Sequence, residues 1–272
     1  MERKYSLAHL TVLGCPPPEM IYIAHLCGYD YVGIRPIFMG LPGEPNYSLS
    51  SNQYLFDLTK QALRETGIII HDIELAKIHD GMDVSKYEAE FEKARELGVD
   101  NVISSIWTKD SKYGIERFRE VCDLAAKYDM TVNLEFVTWA EAANLADVLH
   151  VLDQSGSTNA KLLIDTLHFD RSRVNLSELD VIEPKRFGFI HLCDGPKEIP
   201  TSKEDLIFTG RDARYYIGEG GIDMAAILRH LPQDLVISLE LPHLQKVKDY
   251  GYAEHARRCL QSAKDYVQAH GL

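Results

Sequence analysis

Residues 161–194 read KLLIDTLHFDRSRVNLSELDVIEPKRFGFIHLCD. The stretch begins and ends on short apolar runs, Lys161–Thr166 and Phe187–Leu192, with a longer and more polar segment between them. Neither run alternates strictly between apolar and polar residues. Both faces of each strand are therefore expected to be covered, as in a parallel sheet with helices outside and a packed core inside. Each run also delivers a side chain that can bind a metal, Asp165 in the first and His191 in the second.

The same cadence extends in both directions. Strand candidates upstream are Tyr5–Val12, Tyr31–Pro36, Ile68–Leu75, Asn101–Ile106 and Thr131–Phe136, and Leu235–Leu241 follows downstream. With the opening pair this makes eight, recurring at roughly 30-residue intervals, the βα rhythm of a parallel barrel. Helical segments fall between them. PPPEMIYIAHLCG (16–28) starts on prolines and stops on Gly28, the usual start and stop signals. DGMDVSKYEAEFEKARELG (80–98), GIERFREVCDLAAKYD (114–129) and EAANLADVLHVLDQSG (141–156) carry apolar residues at helical spacing, and Tyr252–Gln268 would close the chain. No low-complexity stretch or linker divides the sequence. The expected architecture is one (β/α)8 barrel of the TIM type over residues 1–272, with long connections at 37–50 and 194–230 on the side where such barrels keep their substrate loops.

Four consecutive strands end in metal-capable side chains: Glu135 in NLEF, Asp165 in LIDTLHF, His191 in FIHLCD and Glu240 in SLEL. Neighbouring strand ends lie side by side at a barrel mouth, so the four can converge. A single strand-end carboxylate is more often a cap or a salt-bridge partner. Burying three together costs several kcal/mol unless a cation compensates them. Three carboxylates and one imidazole form a hard, mostly oxygen donor set, which suits Mn²⁺, Mg²⁺ or Co²⁺, with Zn²⁺ as the alternative.

This series, together with Asp165-Thr166-Leu167-His168, resembles the sugar phosphate isomerase/epimerase family of xylose isomerase-like TIM barrels. Its members include 2-keto-myo-inositol isomerase and the ketohexose 3-epimerases. Arg214-Tyr215-Tyr216-Ile217-Gly218-Glu219-Gly220 is similar to the family's Arg-x-x-Pro-Gly-x-Gly turn, with Ile217 in place of the proline. The likeness spans the chain and is sharpest from residue 131 to 242. It implies that Glu135, Asp165, His191 and Glu240 bind one divalent ion and that His168 and Arg214 contact substrate oxygens. The activity implied is isomerisation or epimerisation of a keto sugar or keto-cyclitol through an enediolate. Chelation of adjacent hydroxyl and carbonyl oxygens would stabilise that enediolate, with Glu135 and Glu240 as acid and base and His168 as a further catalytic candidate. The same enolate can expel a β-hydroxyl, so a dehydratase resembling 3-dehydroshikimate dehydratase is the alternative.

Other residues carry weaker signals. Glu74 and Lys77, near the end of the third strand, either face the pocket or form a local ion pair. Trp107 either floors a sugar site or packs the rim. Asp194 and Arg35 are evenly balanced, and His9, His71 and His243 are expected to pack or to face solvent. Gly218 and Gly220 form a lone Gly-rich turn without a P-loop pattern.

The chain holds 41 acidic and 29 basic residues among 272, a formal charge of −12. That balance disfavours nucleic acid as a partner. A remoter endonuclease IV-like nuclease is disfavoured further because the fourth strand ends in Ser104, Ser105 and Trp107 with no histidine. The linear sequence shows no dense Lys/Arg cluster, which favours an unphosphorylated small polyol or keto sugar as substrate. Apolar runs are too short for a membrane span, and no signal-peptide pattern follows Met1–Lys4. Five cysteines without a CxxC pair suit reduced thiols and a cytoplasmic setting. Homo-oligomerisation stays open.

Overall fold

Eight parallel strands close on one another in chain order in the computed structural model, which describes residues 3–40 and 44–272. They are β1 Tyr5–Leu7, β2 Tyr31–Ile34, β3 Ile69–Ile78, β4 Asn101–Ile106, β5 Thr131–Glu135, β6 Ala160–Asp165, β7 Phe187–Leu192 and β8 Ile237–Leu239. The helices are α1 Pro17–Cys27, α2 Gln53–Thr66, α3 Glu88–Glu96, α4 Ser111–Ala126, α5 Leu145–Ser155, α6 Thr166–Arg171, α7 Ser177–Asp180, α8 Lys203–Asp212, α9 Met224–Arg229 and α10 Leu244–Ala269. Closure comes from β1 pairing with both β2 and β8. Met1 and Glu2, and residues 41–43 of the connection expected at 37–50, lie outside the described residues.

Most of the core lies between the strands and the surrounding helices, with Phe91, Phe118, Phe136, Met20 and Ile21 fully buried. A second, smaller cluster fills the barrel interior: Ile103, Leu163 and Phe189, with Leu75 and Val236 packed against it. This plug makes the barrel a packed bowl and not a pore. The polar strand ends above it therefore stand on a closed floor.

Several boundaries differ from the sequence expectation, each for a local reason. The first strand stops at Leu7 and His9–Val12 turn into a 3-10 helix. There the Thr11 hydroxyl donates to the Leu239 carbonyl at 2.7 Å and accepts from Leu241 N at 2.9 Å. Side-chain bonds to backbone thus replace the ladder. The third strand runs past Leu75 to Ile78 because its register with β4 shifts between Ile73 and Ala76. Thr166 opens α6 instead of ending β6, since the Asp165 carboxylate accepts from Leu167 N and His168 N as an N-cap.

Helix α2 has no counterpart in the sequence expectation, although Asn52 caps it through Leu55 N and Gly67 ends it in the left-handed region. The closing helix begins eight residues before the expected Tyr252, at Leu244, and breaks at Gly251, where φ is 75°. The connection after β7 holds α8 and α9. Among the described residues, no helix is long and apolar enough to cross a membrane.

Candidate active site

Glu135 ends β5, Asp165 ends β6, His191 lies one residue before the end of β7, and Glu240 follows β8 directly. All four are buried, and one potential ligand atom from each lies within 4.8 Å of every other. His191 turns Nδ1 towards the carboxylates, 3.3 Å from Glu135 Oε1 and 3.6 Å from Glu240 Oε2. Its Nε2 is buried with no hydrogen-bond partner among the described residues, so the ring's polar contacts are all with the cluster.

The electrostatics of this group are those of a site short of positive charge. Burial disfavours the imidazolium of His191, yet Glu240, Glu135 and Asp165 overcome it and push the pKa up to about 10. Burial drives the Glu240 carboxyl up to about 7 against the pull of His191 and Arg214, with Glu135 and Glu74 adding to the rise. Asp165 ends below its ordinary range: burial opposes ionisation, and Arg214, His168 and His191 together outweigh it. A hard divalent cation among these donors would relieve the crowding, and three carboxylates with one imidazole are the ligands such an ion takes. The residues fit a divalent metal.

Arg214 lies behind the cluster, only 2% exposed. It reaches Asp165 Oδ2 at 2.6 Å and Glu240 Oε2 at 2.8 Å, and donates to the Gly210 carbonyl at 2.7 Å. Its first role is therefore to position two of the carboxylates, and it also lines the cavity. Gly210 cannot carry a side chain here, because a Cβ would collide with the Trp139 ring.

His168 sits one turn into α6, buried. Thr138 N–H points at its Nδ1 from 3.3 Å and the Thr138 hydroxyl lies 2.9 Å away. A backbone N–H can only donate, so Nδ1 is the acceptor and the neutral ring carries its proton on Nε2. Burial, then Arg214 and His191, hold the ring below its ordinary pKa against the attraction of Asp165 and Glu135. His168 is thus a neutral imidazole with Nε2–H available to the cavity it lines.

That cavity, of about 290 Å³, opens above the cluster. It is bordered by Glu135, Glu240, His168 and Arg214 from the β5–β8 half of the barrel and by Arg35, Glu74, Lys77 and Trp107 from the β2–β4 half. The volume lies at the small end of ligand pockets, which run from ~300 to ~1,000 Å³. Glu74 pairs with Arg35 at 2.9 Å, and Lys77 stacks its ammonium 4.2 Å from the Trp107 ring centre.

Asp194 has a different task. Its carboxylate accepts from the backbone N–H groups of Gly195, Gly218, Gly220 and Ile222, fixing the Gly-rich turn that follows Arg214. His9 packs in the core, where Nδ1 accepts from Arg35 N and Nε2 donates to the Cys15 carbonyl. His71 lies edge-on to Phe189, and His243 caps α10. Sequence reasoning missed Thr138, Trp139 and Arg211. The first two follow Glu135 in the same β5 connection and could have been found from that proximity. Arg211 sits on α8 inside a stretch read as a connection, and no linear signal marks it.

With this geometry in hand, residues 21–263 match the family model described as a xylose isomerase-like TIM barrel. The chain belongs to the xylose isomerase-like TIM barrel family. Among solved structures, this xylose isomerase-like barrel is similar to the IolI protein with a bound zinc atom, at 19% identity and TM-score 0.82, covering 98% of this chain and 99% of that one. It is also similar to D-allulose 3-epimerase from Methylomonas sp. in complex with D-allulose, at 19% identity and TM-score 0.69, covering 97% of each chain. A third is the probable 3-DHS dehydratase AsbF from Bacillus anthracis, at 16% identity and TM-score 0.73, covering 96% of this chain and 98% of that one. At such identities the likeness is one of fold. No curated protein sequence matches the chain.

Proposed function

We propose that this protein is a divalent-metal-dependent isomerase or epimerase of a small keto sugar or keto-cyclitol, working through an enediolate. The observation that carries the reading is the convergence of Glu135, Asp165, His191 and Glu240 on one point at the edge of a cavity sized for a small polyol. A zinc-binding protein and a D-allulose-binding epimerase that share the fold are in keeping with it. A bound divalent ion would supply a Lewis acid that favours negative charge on substrate oxygens.

The chain's own residues do the rest. Glu135 and Glu240 both border the cavity, so a carbon acid placed there meets a carboxylate from β5 and another from the end of β8. One can remove the proton and the other can return it. His168 offers Nε2–H to a substrate oxygen as a neutral donor, its orientation held by Thr138. Arg214 keeps Asp165 and Glu240 in place. The apolar plug beneath and the Trp107 and Trp139 walls keep bulk water from competing for the intermediate.

The test is incubation of metal-loaded protein with keto sugars and keto-cyclitols in D₂O. Deuterium uptake beside the carbonyl, with the product's skeleton and oxygen count conserved, is the expected result. Loss of a water would assign the dehydratase chemistry instead. Absence of exchange with every member of the panel would count against the reading.

A further inference from the structure

The cavity has a second charged side. Lys77 enters it from β3 and Arg211 from the last turn of α8, and both side chains are half-buried. The other cations at the mouth have partners. Arg35 lies 2.9 Å from Glu74 and 3.6 Å from Glu44, and Arg214 holds Asp165 and Glu240. Lys77 and Arg211 have no carboxylate within the 4.0 Å of an ion pair among the described residues. Asp212 borders the same cavity beside Arg211 but stays outside that reach.

Two cations brought together from distant parts of the chain, partly desolvated and without a close ion-pair partner, are costly unless something anionic joins them, and Asp212 and Glu44 act on Arg211 only from beyond that range. Burial, then the nearby Arg211, lowers the Lys77 pKa, and burial, then Arg35, lowers that of Arg211. Trp107 supports the Lys77 ammonium at 4.2 Å without neutralising it. The charged groups that act on the two residues are each other, Arg35, Asp212 and Glu44, and not Glu135, Asp165 or Glu240, so they address the end of a substrate remote from the reacting carbon.

We propose that Lys77 and Arg211 form an anion subsite, and that the substrate is a keto polyol carrying a carboxylate or phosphate at the end away from the metal-binding cluster. The inference rests on the reading of this cavity as the substrate site. Where the anion is a phosphate, it departs from the expectation of an unphosphorylated substrate drawn from the linear sequence, in which Lys77 and Arg211 are too far apart to register as a cluster.

Calorimetric titration of metal-loaded protein with three probes of one carbon skeleton tests it: D-fructose, D-fructuronate and D-fructose 6-phosphate. At least one anion is expected to bind ~10-fold or more tightly than fructose, and added salt should shrink the difference. Which anion wins distinguishes carboxylate from phosphate. Lys77→Met and Arg211→Leu should each reduce the anion-to-neutral affinity ratio, whereas Lys77→Arg should keep it; melting temperature and metal content establish that each variant is folded. Equal binding of the three probes, no binding by either anion, or a ratio that survives both neutral variants overturns the proposal. Deuterium exchange is read separately. Exchange without anion preference removes the subsite and leaves the reaction, and anion preference without exchange does the reverse.

Discussion

The two sides of the barrel mouth are built from equivalent ends of different strands and carry different charge balances. On the β5–β8 side, Glu135, Asp165 and Glu240 share one arginine and one histidine, and His191 is pushed up to about 10 as a result. On the β2–β4 side, Glu74 and Glu44 are held by Arg35, and Lys77 is left over with Trp107 as its support. One side carries an excess of negative charge, and the other matches its charges in number but leaves Lys77 without an ion-pair partner among the described residues. A barrel can thus prepare one end of its pocket for a cation and oxygen chemistry and the other for an anion, with strands alternating only in which residue sits at the C-terminal edge.

The sharpest way to break this comparison is to remove a ligand from the first side. Asp165→Asn, or chelation of the wild type, is expected to abolish measurable exchange; metal analysis alongside activity checks it, and normal turnover by metal-free protein would contradict the assignment. Next come Glu135→Gln and Glu240→Gln, which keep an oxygen donor and remove basicity. Both should retain metal, and at least one should lose turnover by ~10²-fold or more. Proton exchange that survives in one variant while net conversion stops would favour a two-base epimerase. Normal turnover in both would move the base to His168 and favour the dehydratase.

Smaller effects separate the two arginines. Arg214→Met and Arg35→Met each strand buried carboxylates and should cost about 3–5 kcal/mol of stability in denaturant titrations. Only Arg214→Met should also weaken metal binding, because only Arg214 holds two of the cluster's carboxylates. Equal metal affinity in the two variants would erase the distinction between the sides.

The smallest effect is acid sensitivity at His9, whose Nδ1 accepts from Arg35 N and so supports the second side. Burial lowers its pKa from the ordinary 6.5 to about 4, against the pull of the Cys15 carbonyl and Glu74. A depressed value means that its contribution is full above pH 6.5 and is lost as the pH falls towards 4, on the order of 1–3 kcal/mol. His9→Gln should flatten that part of the stability curve, measured by denaturant midpoints at pH 7, 5.5 and 4.5. An unchanged slope would place the acid sensitivity elsewhere, His255 being the other buried histidine held near 4.

The eight apolar runs at roughly 30-residue spacing and the four strand-end side chains that converge were legible in the amino-acid sequence. Both follow from local rules: strands covered on two faces read as continuous apolar runs, and neighbouring strands in a parallel barrel present equivalent ends. What the sequence could not supply depends on contacts between residues far apart in the chain. Whether Asp165 caps a helix or binds a metal is not a choice the sequence can pose, because one oxygen meets Leu167 N and the other meets Arg214. The bulge in β3 brings Glu74 and Lys77 to the cavity, and the fold of the β7–β8 connection brings Arg211 there. The sequence leaves Asp194 balanced between site and scaffold, and only the closed turn at Gly218–Ile222 assigns it to the scaffold. Sequence determined which side chains stand at the mouth on β5, β6, β7 and β8. Tertiary structure decided which of their charges are compensated, since that depends on distances of 2.6–2.9 Å between elements that the chain places dozens of residues apart.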